Sequence, residues 1–305
     1  MWEKTMESAP IVLFVYNRPW HIQQTIEALQ KNELAETSEF FIFSDGPKFE
    51  NDRKKVSDVR EYCKTITGFK SITLIEREQN LGLAQSIITG VTEIINKYDK
   101  IIVLEDDMIT SPYFLKFMNE ALEFYRNEEK VICIHGYMYP IKNKLPETFF
   151  LRGADCWGWA TWKRGWDMFE PDGQKLLNEI KKRRLQKIFD INGAYPYTKM
   201  LVNQIHGRNN SWATLWRASA FLKEKLTLHP GISLIYNIGN DNSGTHCGIS
   251  NIFDTEISNK PISLAKIPLE EDNLVYKEIE KYLKSKKISF FTLIINKIKK
   301  FIKLQ

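Results

Sequence analysis

The sequence predicts an α/β fold, a mostly parallel sheet flanked by helices, followed by a C-terminal amphipathic helical tail. Three observations carry this expectation. Short β-rich apolar runs alternate with helix-patterned segments through the first 135 residues, as βαβ units require. Polar clusters stand where those runs hand over to helices, which in open α/β sheets is the edge that binds ligands. Residues 288–304 repeat apolar side chains at helical spacing opposite a lysine-rich side.

Taken in order, Ile11 to Tyr16 (IVLFVY) reads as a buried strand, and Asn17-Arg18-Pro19 leads into a helix with Ile22, Ile26 and Leu29 on one face. Phe40 to Phe43 is a second strand ending in Ser44-Asp45-Gly46-Pro47, and Ile72 to Ile75 a third. After Asn80-Leu81-Gly82, a helix carries Leu83, Ile87, Val91, Ile94 and Ile95. Ile101 to Leu104 is a fourth strand, broken by Glu105-Asp106-Asp107. Ser111-Pro112 then opens a helix with an N-cap and a first-turn proline. Val131 to Ile134 closes the series. Six of the eight tryptophans fall between 157 and 216, where loops become frequent, and Trp159, Trp162 and Trp166 are spaced as one helical face.

The 305 residues and 43% apolar content suffice for one large or two small domains, so disorder is excluded for most of the chain. The net charge of +5 is unevenly placed. Residues 281–305 hold eight lysines and no acid, leaving the remaining body at −3, which argues against a nucleic-acid-binding surface. Cys63, Cys133, Cys156 and Cys247 form no CxxC pair, so neither a disulfide framework nor a cysteine zinc site is expected and reduced thiols are the default. Glu3, Lys4 and Glu7 interrupt any signal peptide, and no apolar run approaches the roughly 20 residues that span a bilayer.

Glu105-Asp106-Asp107 carries the most chemical information. Three adjacent carboxylates repel one another, and a hard divalent cation such as Mg²⁺ or Mn²⁺, shared with phosphate oxygens, would offset them. The alternative is an acidic turn exposed to water. Asp45 also follows a buried strand, where a carboxylate can accept a pyrimidine imide proton. Tyr16 and Arg18 supply an aromatic face and a guanidinium for a base or phosphate. Taken singly, that Asp is an ordinary turn former and that Arg an ordinary surface charge.

The run from YNRP through SDG, REQNLGLAQS and VLEDDM resembles the GT-A (Rossmann-like) nucleotide-sugar glycosyltransferases of family 2 type. The segments CWGWATWKRGWDMFEPD, NNSWATLW and LHPGISLIYNIGNDNSGTHCG resemble a bacterial polysaccharide branch related to the N-acetylglucosaminyltransferase I group. The resemblance covers roughly residues 9–250. It implies a GT-A domain over 1–255, with a nucleotide-sugar-binding half at 9–135, an acceptor half at 136–255 and a C-terminal extension at 256–305. By the same resemblance, Asp107 is the metal ligand, with Mn²⁺ or Mg²⁺ as cofactor and His246 completing the metal or phosphate site. Asp106 would face the ribose, Glu105 the sugar and Asp45 the uracil of a UDP-sugar, with Tyr16 and Arg18 also on the donor side. A turn-capping role is the alternative for His246.

Inverting members place a catalytic carboxylate just before the helix that here begins Ser211-Trp212-Ala213, whereas this chain has Asn209-Asn210. The base then comes from Asp155 or Asp241, or activity is altered. Trp157 and Trp159 are the expected acceptor-binding aromatics, although most of the tryptophans are expected in the core. Lys181-Lys182-Arg183-Arg184 reads as a solvated helix face or as a contact to a phosphate on a lipid-linked acceptor.

Ile288, Phe291, Ile294, Ile295, Ile298 and Ile302 share one face of the tail, opposite Lys299, Lys300 and Lys303. An anionic membrane surface is the partner this predicts, with packing against the body or a second subunit as the alternative. The expected activity is transfer of a hexosyl or N-acetylhexosaminyl group from a nucleotide-sugar to a bacterial surface glycan or lipid-linked oligosaccharide such as O-antigen, with inversion. The expected location is the bacterial cytoplasm, peripheral on the inner membrane. A sugar nucleotidyltransferase would normally carry a Gly-rich phosphate loop after the first strand, which YNRP lacks. A non-catalytic glycan-binding module would not explain EDD and SDG on one sheet edge.

Overall fold

The computed structural model describes residues 7–241 and 252–286. Strand β1 (Ile11–Val15) is buried along its whole length and lies between β2 (Glu39–Ser44) and β4 (Lys100–Glu105), parallel to both. Strand β3 (Ser71–Glu76) pairs parallel with β2 at the sheet edge. Helices α1 (Pro19–Leu29), α2 (Arg53–Lys64) and α3 (Leu83–Tyr98) are the crossovers. Within β1 the side chains alternate between the two faces: Ile11, Leu13 and Val15 join one core cluster, Val12 and Phe14 the other. The continuous apolar run therefore fills two cores at once.

After β4 come the short β5 (Met108–Thr110), α4 (Phe114–Phe124) and β6 (Val131–His135). Helix α4 starts later than Ser111-Pro112 predicts. The Ser111 hydroxyl instead accepts the amide of Tyr113 and donates to the carbonyl of Ser258, so it closes a preceding turn and ties down a distant segment.

The second half adds β7 (Thr148–Arg152), β8 (Trp159–Trp162), α5 (Lys163–Trp166), α6 (Gly173–Lys182), α7 (Gln186–Phe189), α8 (Tyr197–Ile205), α9 (Trp212–Leu222), β9 (Leu226–Pro230) and β10 (Ile235–Asn237). The main sheet runs β3-β2-β1-β4-β8-β6-β9-β7, while β5 and β10 form a separate antiparallel pair. Strand β8 is antiparallel to both β4 and β6, and β7 is antiparallel to β9. The start of β8 thus lies at the same edge as the ends of β1, β2, β4, β6 and β9.

The tryptophan segment is not one helical face. Trp159 and Trp162 lie in β8 and point to opposite sides of the sheet, into different core clusters, because an odd separation in a strand reverses the side chain. Trp159 packs with Trp166, Trp212 and Trp216 at centroid distances of 5.5–6.0 Å. Helices α6, α8 and α9 bury a third cluster including Leu176, Ile180, Leu201 and Phe221. A helix over 273–286 packs Val275, Ile279 and Leu283 onto Met138, Phe149 and Ile191. The predicted amphipathic tail, 288–304, lies outside the described residues. Among the described residues no helix is long and apolar enough to cross a membrane.

Candidate active site

The parallel register sets Phe14 of β1 opposite Glu105 of β4, so the chain leaving each strand enters the same space. Arg18, at the start of α1, donates to the carboxylates of both Asp106 and Asp107, at 2.9 Å in the latter case. Thr25, a turn and a half into α1, donates to the carbonyl of Asp106 at 2.9 Å. The helix therefore clamps the acidic turn by backbone and side chain together. Asp106 and Asp107 are buried, not displayed on an acidic surface turn. Burial, reinforced by Asp107 and opposed by Arg18, pushes the Glu105 carboxyl up to about 8. Burial likewise raises Asp107, with Arg18 working against the shift. The two aspartates outweigh the desolvation of Arg18 and hold its guanidinium charged.

Two buried atoms of this cluster lack a hydrogen-bond partner, Asp107 Oδ1 and Arg18 Nη1. The β5–β10 pair folds the 237–241 segment over them, with the Ile238 amide donating to the Asp107 carbonyl at 2.9 Å. Gly239 fits closely there: a Cβ at this position would stand 2.1 Å from Asp107 Oδ2, so one of the two would have to shift. On the same side His21 Nε2 lies 3.1 Å from Asp241 Oδ2. His246, the expected second metal ligand, lies outside the described residues.

Asp45, expected at a pyrimidine base, is buried at the end of β2. Its Oδ1 accepts the amides of Gly46 and Leu81, and its Oδ2 accepts that of Gly82 at 2.9 Å. It thereby ties the end of β2 to the entry of α3, where Gly82 has φ of 74°, and Oδ2 keeps an acceptor position. The Tyr16 hydroxyl donates to Asp52 at 2.8 Å and accepts the Lys48 amide, while Asn17 donates to the other Asp52 oxygen at 2.9 Å. Burial, with Asp52 adding to it, pushes the Tyr16 phenol up to about 12.

Across the acidic turn, Asp155 precedes β8. Its Oδ1 takes a 3.3 Å hydrogen bond from Arg217 of α9, and its Oδ2 lies 3.7 Å from Nε2 of His229 on β9. His229 in turn meets His135, at the end of β6, with the two Nδ1 atoms 3.3 Å apart. His135, Asp155 and His229 each bring a ligand-type atom within 4.8 Å of the others. Asp155 and Cys156 lead into β8, whose Trp159 pairs with Val103 near the end of β4, which puts this group on the strand next to the acidic turn.

Trp157 is half-buried against Tyr137 and Phe253, with centroid distances of 4.8 and 5.4 Å. Trp159 is a correction to the expected acceptor pair: it is 1% exposed inside the tryptophan cluster and meets no cleft. Ser211 caps α9 by accepting the Thr214 amide, and Asn209 donates to the Met200 carbonyl, so no carboxylate precedes that helix.

The sequence motifs did not single out His21, His135, His229, Arg217 or Gly239. The signal for the two central histidines was present. VICIH and LTLHP each end a buried apolar run in a polar residue, the same pattern that marks SDG and EDD.

No protein-family model and no curated protein matches this sequence. Among solved structures the chain is similar to S. aureus TarS, at 15% identity over 48% of this chain, with a TM-score of 0.33. It spans only 24% of that protein's length. The TarS 1–349 structure overlaps 75% of this chain and 60% of its own at 12% identity, with a TM-score of 0.43. The mannosyltransferase PcManGT from Pyrobaculum calidifontis, solved with GDP-Man and Mn²⁺, overlaps 72% of this chain and 73% of its own at 12% identity, with a TM-score of 0.40. The overlap follows the course of the backbone and assigns no role to any residue of this site.

Proposed function

We propose that the chain is a metal-dependent GT-A glycosyltransferase that moves a sugar from a nucleotide donor, a UDP-sugar, to a hydroxyl of a glycan or lipid-linked acceptor. The observation that carries this reading is the buried Arg18–Asp106–Asp107 cluster at the carboxyl edge of the sheet, with one Asp107 oxygen left without a partner. A hard divalent cation fits such a donor set, and Asp107 would hold it, with His246 as the second ligand. Bound there, Mn²⁺ or Mg²⁺ would offset the charge of the departing diphosphate.

The remaining work falls to the chain's own groups. Arg18 is fixed in its charged form and stands ready for a phosphate oxygen. The free acceptor position of Asp45 would take the imide N–H of uracil, and Glu105 would face the sugar.

Sheet order separates the two candidate bases. Asp241 is held by His21 on the β1 side, next to Asp107, where the leaving diphosphate would lie. Asp155 sits beyond β4, on the β8–β6–β9 side, with its carboxylate ordered by Arg217. An inverting displacement needs its base opposite the leaving group, which favours Asp155. Trp157, not Trp159, is then the aromatic available to the acceptor.

Titration of UDP into wild type and Asp107→Asn, with and without Mn²⁺, tests the core of this reading. Affinity that is equal in both proteins and indifferent to metal would refute it. The basic tail is the proposed contact to an anionic membrane, and a chain lacking residues 285–305 should move from the membrane to the soluble fraction while keeping donor affinity.

A further inference from the structure

The side-chain and Trp157 contacts of the two imidazoles behind Asp155 favour one protonation pattern. Burial, with Arg217 adding to it for His135 and His135 adding to it for His229, pushes both rings down to about 3, so both are neutral near pH 7. His135 Nε2 lies 3.2 Å from the backbone nitrogen of Trp157, which can only donate. Nε2 is therefore bare, and the single proton of His135 sits on Nδ1. That N–H points at His229 Nδ1, 3.3 Å away, so His229 accepts there and carries its own proton on Nε2. This Nε2–H is buried, has no hydrogen-bond partner, and faces Asp155 Oδ2 at 3.7 Å.

The same pattern argues against a metal held by these three side chains. A cation on His135 Nδ1 would drive the ring proton onto Nε2, directly against the Trp157 N–H, or leave a buried imidazolate. The cluster is instead a chain of donors that begins at the Trp157 amide and ends at His229 Nε2–H, which faces the Asp155 carboxylate at 3.7 Å.

Resting on the glycosyltransferase reading above, we propose that His135 and His229 are positioning residues for Asp155 as general base: Trp157 N–H sets the tautomer of His135, His135 sets that of His229, and His229 Nε2–H orients the carboxylate that Arg217 grips from the other side. In the step itself, the acceptor hydroxyl proton passes to a remaining lone pair of Asp155 as the acceptor oxygen bonds to the anomeric carbon. The bond from that carbon to the donor phosphate oxygen breaks, and its electron pair leaves on the diphosphate. The histidines do not carry the proton onward, because their chain stops at an amide.

The groups that face Asp155 are Arg217, His229, Tyr139, Tyr197, Cys133 and Cys156, with His135 behind His229. Burial pushes both phenols and both thiols upward, and Arg217 stays charged.

The experiment measures UDP release from UDP-glucose and UDP-N-acetylglucosamine with Mn²⁺, water being the acceptor, across pH. His229→Phe keeps the ring that stacks on Phe149 at 5.6 Å and removes the donor. It should lower kcat about tenfold or more, leave the donor KM within about twofold, and move the acid limb of the profile upward. His229→Gln, whose amide N–H can stand where Nε2–H stands, should restore most of the loss. An unchanged kcat and acid limb in a folded His229→Phe, or a Gln variant no better than Phe, would overturn the proposal. So would an Asp155→Asn variant that still turns over. Imidazole ¹⁵N NMR of the wild type reads the tautomers independently of turnover: Nδ1–H on His135 and Nε2–H on His229 support the chain, and any other pattern overturns it. Failure of the underlying reading looks different, as wild type without UDP release and without metal-dependent UDP binding, and takes the positioning role with it.

Discussion

Arg18 and Asp107 lie 2.9 Å apart, both largely buried, in a contact that spans the ends of two neighbouring parallel strands. Arg18 is the cation that lets Asp106 and Asp107 stay together away from water. Truncation to Arg18→Met should destabilise the metal-free protein by roughly 3–5 kcal/mol, the usual cost of stranding a buried charge. Mn²⁺ should recover part of that loss in Arg18→Met and raise the wild-type Tm less. Differential scanning calorimetry with and without metal checks this, and an equal Mn²⁺ effect on both proteins would contradict it.

Gly239 makes a second prediction about the same carboxylate. The methyl group of Gly239→Ala would collide with Asp107 Oδ2, so the side chain must turn or the 237–241 segment must lift. Mn²⁺ affinity should fall by about tenfold, or ~1.4 kcal/mol, with only a small change in Tm. Isothermal titration of Mn²⁺ in the presence of UDP measures it, and wild-type affinity would show that the segment yields without disturbing Asp107.

The buried histidine pair predicts an acid limit to stability. Both rings are held near 3 in the fold, against about 6.5 in an unfolded chain. Between those values the unfolded state binds more protons, so stability rises with pH across that window and falls on acidification through it. By pH 5 the loss should reach as much as about 2 kcal/mol per ring. Urea unfolding at pH 7 and pH 5 should show this dependence in wild type and a flatter one in a His135→Phe/His229→Phe double variant.

Trp159 separates packing from recognition. Trp159→Ala should cost about 3–5 kcal/mol through the cavity it opens among Trp166, Trp212 and Trp216. Trp157→Ala should alter stability little and weaken acceptor use instead. Thermal unfolding of the two variants side by side decides between these roles, and equal losses would place Trp157 in the core as well.

The first half of the fold was legible because β1, β2 and β4 are buried on both faces, so each appears as an unbroken apolar run ending in a polar cluster. EDD, SDG and YNRP came from that punctuation, and the structure brings Arg18 to Asp106 and Asp107 while leaving Asp45 nearby at the entry to α3. Trp159 was not legible, because WATW fits a strand and a helical turn equally well at that length. Only pairing with β4 and β6, both distant in sequence, decides between them. The His135–His229 contact is hidden for the same reason: 94 residues separate partners that adjacent parallel strands place side by side.

The reversed strand β8 also governs how the chain can come together. It belongs to the second half of the sequence yet is wedged between β4 and β6 of the first, so a nascent chain released only to residue 135 holds two strands whose proper neighbour does not yet exist. The central hydrogen-bond ladder cannot close until Trp162 has left the ribosome, and β7 has no partner until β9 follows. Severing the chain between the halves should yield two fragments that recover structure only when mixed.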